Sequence, residues 1–169
     1  MGKYDYLKKY INNSKAKHPR NSFTKVNLQD IEYAEDRLGF QLPKSLKEFW
    51  VEIGSGVLNK SINGNEAFDY ANYIFFPQQI ADIMLLKEKS DYILPEAVEY
   101  IEEGYIKDDD VIFFEVADMS SFLVMKPSSD KPDAVYDEIG NIIEEHFERF
   151  IWRLYHESPD YYLRVNNFS

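Results

Sequence analysis

The chain has 169 residues, 44% of them hydrophobic and 16% aromatic, and a net charge of −11. That length fits one domain with a single core, and that apolar content excludes a disordered chain. The absence of cysteine excludes disulfide bracing and thiolate metal sites, and it fits a reducing cytosol.

Residues 1–25 carry seven Lys/Arg against Asp5 alone, or +6. Residues 3–17 read as a short helix with Tyr6, Leu7, Tyr10 and Ile11 inward and Lys8, Lys9 and Lys15 outward. A basic N-terminal helical segment, 1–25, therefore precedes a body spanning 26–169. The opening MGKYDYLKKY lacks the apolar stretch of a signal peptide, and Tyr6 stands where N-myristoylation at Gly2 would need Ser or Thr. No apolar run approaches the ~18–20 residues of a membrane span. A cytoplasmic protein with no membrane partner is expected.

Leu28, Ile31, Ala34 and Leu38 recur at helical spacing, and Gly39 follows where a left-handed residue ends many helices. Pro43 suits a helix start. Leu46, Phe49, Trp50 and Ile53 then define a second apolar face, with Trp50 read as core or, if it falls at the helix edge, as a groove wall, and Gly54 and Gly56 stop it. Glu35 lies on or beside the first stripe. A carboxylate there must be paired or hydrogen-bonded, and backbone N–H groups near Lys44 and Ser45 at the start of the second helix are the expected partners.

Asn59 to Asn65 reads as a loop with Asn63-Gly64 as its turn, and 71–76 as a strand. Pro77 starts a helix carrying Ile80, Ile83, Met84 and Lys87. Pro95 starts another, with Val98 and Ile101 inside and Gly104 at its end. Residues 111–117 and 121–126 read as adjacent strands joined at Asp118-Met119-Ser120, and 134–138 as a third that turns at Gly140. The last helix places Ile143, Phe147, Phe150, Ile151 and Leu154 on one face, and Pro159 ends it. Helical and strand-like segments are partly segregated, so the expected fold is a single α+β domain, a mostly antiparallel sheet flanked by helices.

Catalytic motifs are missing. His18, His146 and His156 stand in no metal-ligand spacing, Gly54-Ser55-Gly56 lacks the spacing of a nucleophile elbow, and neither GxGxxG nor a Walker pattern can be written. No catalytic residue, metal or cofactor is expected. The body, 26–169, carries twelve basic and 29 acidic side chains, or −17. Such a surface repels nucleic-acid phosphates and steers toward basic proteins, among them nucleases and other toxins that act on nucleic acid.

The acid is densest from Glu96 to Asp118, nine carboxylates against Lys107. Glu99, Glu102 and Glu103 fall on the outer face of one helix, and Asp108, Asp109 and Asp110 follow directly. Tyr100 and Tyr105 interleave as aromatic anchors. Three readings stand side by side: a cation site, whose spacing is not that of an EF-hand; a solvated acidic face; and a docking patch for a basic partner.

Ile31, Glu35, Leu38, Gly39, Leu42, Pro43, Leu46, Phe49 and the Gly54/Gly56 pair resemble the I-x-x-x-E-x-x-L-G-x-x-L-P-x-x-L-x-x-F…G-G opening of the SUKH superfamily, which includes yeast cell-wall synthesis regulators. HFERFI, 146–151, is similar to its closing S-F-x-x-F-L, and the intervening segments agree in order. Ser55 splits the usual Gly–Gly, and His146 stands where a small residue is common. The resemblance implies structural roles for Glu35, Leu38, Gly39, Leu42, Pro43, Phe49, Trp50, Gly54 and Gly56. It also implies an immunity protein that neutralises a cognate bacterial polymorphic toxin. A regulatory scaffold akin to the yeast relatives and a small-molecule-binding domain are the alternatives.

Overall fold

The computed structural model describes residues 2–12, 20–59, 72–85, 95–116 and 121–157. Among them, seven strands form one antiparallel sheet whose spatial order follows chain order: β1 (Ser22–Thr24), β2 (Ser55–Val57), β3 (Tyr73–Ile74), β4 (Val111–Val116), β5 (Ser121–Met125), β6 (Val135–Tyr136) and β7 (Ile142–Glu144). A 3-10 helix, Asp5–Tyr10, precedes β1. Helices α1 (Leu28–Leu38) and α2 (Lys44–Glu52) separate β1 from β2, α3 (Pro77–Met84) and α4 (Pro95–Glu102) separate β3 from β4, and α5 (Phe147–His156) follows β7. This is the expected single α+β domain. No described helix is long and apolar enough to cross a membrane.

The helix pair forms for the reasons its sequence suggests. Gly39 sits at φ 80° as the C-cap of α1, and Pro43 immediately precedes α2. Leu46, Phe49, Trp50 and Ile53 are fully buried, and the Trp50 indole donates to the Phe75 carbonyl at 3.1 Å, so the ring is core with its polar edge satisfied. Leu28 departs from expectation: as the first residue of α1 it lies outside the packed turns and is 64% exposed. Glu35 accepts from the Leu42 N–H and from Lys47 Nζ, both at 2.9 Å, and so holds the break between the helices from just before the residues anticipated for it. Glu35→Ala removes the acceptor for both and is expected to lower unfolding free energy by roughly 1–3 kcal/mol. Urea titration measures this, and a midpoint matching the parent chain would refute the role.

The core is largely aromatic. Phe49 meets Tyr4 at 4.9 Å, Phe23 at 6.0 Å and Phe147 at 5.9 Å between ring centroids, all edge-on. In β4 the register shifts between Ile112 and Phe114. Consecutive strand residues normally face opposite ways, but the bulge lets Phe113 and Phe114 both pack on Phe150 of α5, at 6.0 and 5.3 Å. Residues ahead of Val26 belong to the same core: Tyr4 and Leu7 are buried, Ile11 forms a bridge to Phe23, and β1 makes one edge of the sheet.

Two expectations are corrected. Ile143 belongs to β7 rather than to the last helix, because its four-residue offset from Phe147 mimics a helical repeat across the strand-to-helix junction. Gly56 belongs to β2 and pairs with Phe23, so it shapes a strand rather than merely ending α2. In α4, Ala97 is the fully buried residue, while Val98 and Ile101 are half-buried. The Asn63-Gly64 turn, Lys87, the Asp118-Met119-Ser120 turn, His18 and Pro159 lie outside the described residues.

Candidate partner-binding surface

Helix α4 and the residues that follow it bring most of the acidic run onto one stretch of surface. Glu99 and Glu102 on α4 and Glu103 just after it are exposed, and Gly104 at φ 82° turns the chain out of the helix. Tyr100 is half-buried, its ring edge-on to Phe122 at 5.7 Å and to Tyr105 at 6.0 Å. Tyr105 is 48% exposed and so presents a ring beside the carboxylates. Burial first, then the charges of Glu138, Glu99 and Glu103, push the Tyr100 phenol above its ordinary value, which keeps it a neutral donor.

The aspartate triplet divides. Asp108 is exposed and Asp109 partly so, but Asp110 is only 4% exposed. Its carboxylate accepts from the Lys107 N–H at 2.9 Å and pairs with Lys126 Nζ at 2.8 Å. Asp110 therefore closes the turn and ties it to the end of β5. It is removed from the docking face that sequence alone assigns it to. Among the described residues no group of three or more His, Asp or Glu side chains is placed to hold a metal ion.

Sequence reasoning missed the other side of this surface. The turn between β6 and β7 carries Glu138, hydrogen-bonded to the Ser121 hydroxyl at 3.4 Å, and Ile139, which is 44% exposed. Asp137 shapes that turn, accepting from the N–H groups of Ile139 at 3.1 Å and Asn141 at 2.8 Å. One signal was available: an isoleucine directly ahead of a turn glycine has no core to enter.

Elsewhere, a cleft of about 770 Å³ opens between the α1–α2 break and 127–133, with walls that include Tyr4, Leu42, Pro43, Pro127 and Pro132. Its rim mixes Lys3, Lys44 and Lys47 with Glu48, Asp133 and Glu148, so it selects no single charge. His146 sits at the start of α5, 3.5 Å from Asp133, and His156 stacks on Trp152 at 4.5 Å.

The family-motif residues have structural work. Gly39 caps α1, Glu35 spans the helix break, and Phe49 and Trp50 fill the core. Gly54 and Gly56 let β1 approach, and Ser55 between them is buried with its hydroxyl donating to the Ile74 carbonyl. The family model described as SMI1/KNR4 (SUKH-1) matches residues 25–169. The chain belongs to that family. Among similar proteins is the Immunity protein YxxD of Bacillus subtilis (strain 168), 28% identical over 144 residues that cover 85% of this chain and 88% of the relative. The SUKH-1 match begins at residue 25, just after β1, while Tyr4, Leu7 and β1 itself are packed into the same domain.

Proposed function

We propose that this SUKH-1 chain is an immunity protein, a binding module and not an enzyme, which works in the cytoplasm by capping a basic toxin. The observation that carries the reading is the near full-length similarity to a protein named as an immunity protein. The −17 of residues 26–169 supports it independently. A body so acidic is drawn to proteins that themselves bind phosphate, and a nuclease is the partner class that best fits. Carboxylates on α4 and at Asp108 and Asp109 offer such a partner anionic groups in place of a nucleic-acid backbone, while Tyr100 and Tyr105 supply the desolvating contact that charge alone does not.

Co-expression with candidate basic toxin domains, nucleases first, tests the function directly: growth should be rescued from one of them by the chain and lost without it. Failure of rescue despite soluble expression would overturn the reading. Reversing charge at Glu102, Glu103, Asp108 and Asp109 to lysine tests the surface. Association at low salt should slow by on the order of tenfold, and the difference should shrink as salt is raised. An unchanged association rate would move the docking face elsewhere.

A further inference from the structure

Glu99 and Glu102 of α4 and Glu103 after it are exposed, and exposed carboxylates steer a partner more than they hold it. A holding contact needs a charge already withdrawn from water and flanked by apolar area. Glu138 meets that description. It is half-buried on the β6–β7 turn, and its described partners are neutral donors, the Ser121 hydroxyl at 3.4 Å and its own N–H. Among the described residues no lysine or arginine is paired with it. The charged groups that bear on it or on Tyr100 are Asp137 on its own turn, Glu99 of α4 and Glu103 just after it, all acidic, with the Tyr105 phenol beside them. The Glu138 charge reaches the Tyr100 phenol, whose ring packs edge-on to Tyr105 and to Phe122, the strand neighbour of Ser121; exposed Ile139 follows Glu138 in the chain, with Ile142 39% exposed beyond it.

We propose that Glu138 is the centre of the docking surface, receiving an arginine guanidinium of the basic partner between the Tyr100 ring and Ile139. The inference rests on the immunity reading for the partner's being a protein toxin. Its chemistry rests on charge complementarity at this one site: an uncompensated, half-desolvated anion is completed by a planar cation that can stack on a phenol ring and accept apolar flanks. The exposed carboxylates then act as a funnel, and Glu138 with its rim decides residence time.

The site leaves a trace in the free protein. Burial first, and then the charge of Asp137, raise the Glu138 carboxyl above its ordinary value against the opposing hydrogen bonds from its own N–H and Ser121. The folded chain therefore holds this proton more tightly than the unfolded chain does. Ionisation of Glu138 opposes folding above the carboxylate range, and the penalty vanishes as pH falls below the unfolded value. Glu138→Gln should therefore melt higher than the parent at neutral pH, with the gain lost in acid. It should also release the toxin domain identified by growth rescue faster, weakening binding roughly 30-fold. A residue kept for structure would give the opposite stability change.

The test uses the full chain in two arms. In the first, dissociation of the toxin domain is measured for the parent, Glu138→Gln and Glu138→Asp, with melting curves at neutral and acid pH. In the second, a synthetic hexa-arginine peptide is titrated while carbon NMR follows the side-chain carboxyls; Glu138 should titrate at lower pH with peptide than without. Parent-like toxin dissociation for Glu138→Gln, or a Glu138 titration unmoved by the peptide, overturns the proposal. If the parent itself fails to hold the toxin domain, the immunity reading falls, and the peptide arm still decides whether Glu138 is a guanidinium site. Poor folding of Glu138→Gln would itself oppose the proposal, because it marks a structural carboxylate; Glu138→Asp, which keeps the charge while withdrawing it by one methylene, is the independent check, and an unaltered residence time for it would count equally against the site.

Discussion

Gly56→Ala is expected to lower the unfolding free energy by about 3 kcal/mol or more, the sum of a strained backbone and an overpacked contact. Gly56 lies at φ 149°, and a Cβ built on it would come 2.1 Å from the Ser22 carbonyl oxygen. Gly54 is equivalent, at φ 125° with its Cβ 2.2 Å from the Thr24 carbonyl oxygen. Both obstacles are backbone, so no side chain can swing aside. β1 would have to retreat, taking with it Phe23, which is 1% exposed and packs on Phe49. Gly39 supplies the control. Its φ is 80°, but nothing lies within 4 Å of its Cβ, so Gly39→Ala carries only the left-handed penalty of about 1–2 kcal/mol. Calorimetric melting should rank the parent above Gly39→Ala, and that above Gly54→Ala and Gly56→Ala. Equal melting for the three variants would show that β1 does not press on this strand.

The contrast explains which parts of the fold could be read in the chain. The stripe Leu46, Phe49, Trp50 and Ile53 has a period that only a helix satisfies, and Gly39 and Pro43 punctuate it by local backbone rules, so the helix pair is visible without any tertiary knowledge. β4 and β5 are long enough to register as apolar runs. β1, β2, β3, β6 and β7 are two or three residues each, shorter than any period can declare. They exist because a neighbour supplies hydrogen bonds, which is tertiary information. Gly54-Ser55-Gly56 shows the consequence: locally it reads as a helix stop, whereas the close approach of β1 is what its glycines answer. The proposed docking surface divides in the same way. Glu99, Glu102 and Glu103 announce themselves by density, but Glu138 is one acid among the 30 Asp and Glu of the chain. Only the sheet brings it to the same surface as Tyr100.

Asp110 separates a structural carboxylate from its solvated neighbours more sharply than any other position. Asp110→Ala would leave the Lys126 ammonium, whose side chain is 17% exposed, without its anion, and the Lys107 N–H without an acceptor. Breaking one partner of a buried pair is far more damaging than never having had the pair, so the expected loss is about 3–5 kcal/mol. Lys126 has a second neighbour, the Tyr136 ring at 5.6 Å, which compensates only in part. Asp108→Ala and Asp109→Ala should change stability by no more than about 0.5 kcal/mol, because exposed carboxylates away from such contacts contribute little. The three adjacent, chemically identical side chains therefore predict opposite phenotypes: the first two lost from partner association with the fold intact, the third lost from the fold. Replacing Asp110 and Lys126 together, as Asp110→Leu with Lys126→Met, should recover much of the stability lost by Asp110→Ala, since the uncompensated charge is then gone. Chemical denaturation of the four variants decides it. An Asp110→Ala midpoint equal to that of Asp108→Ala would mean that the pairing with Lys126 contributes nothing to holding the turn.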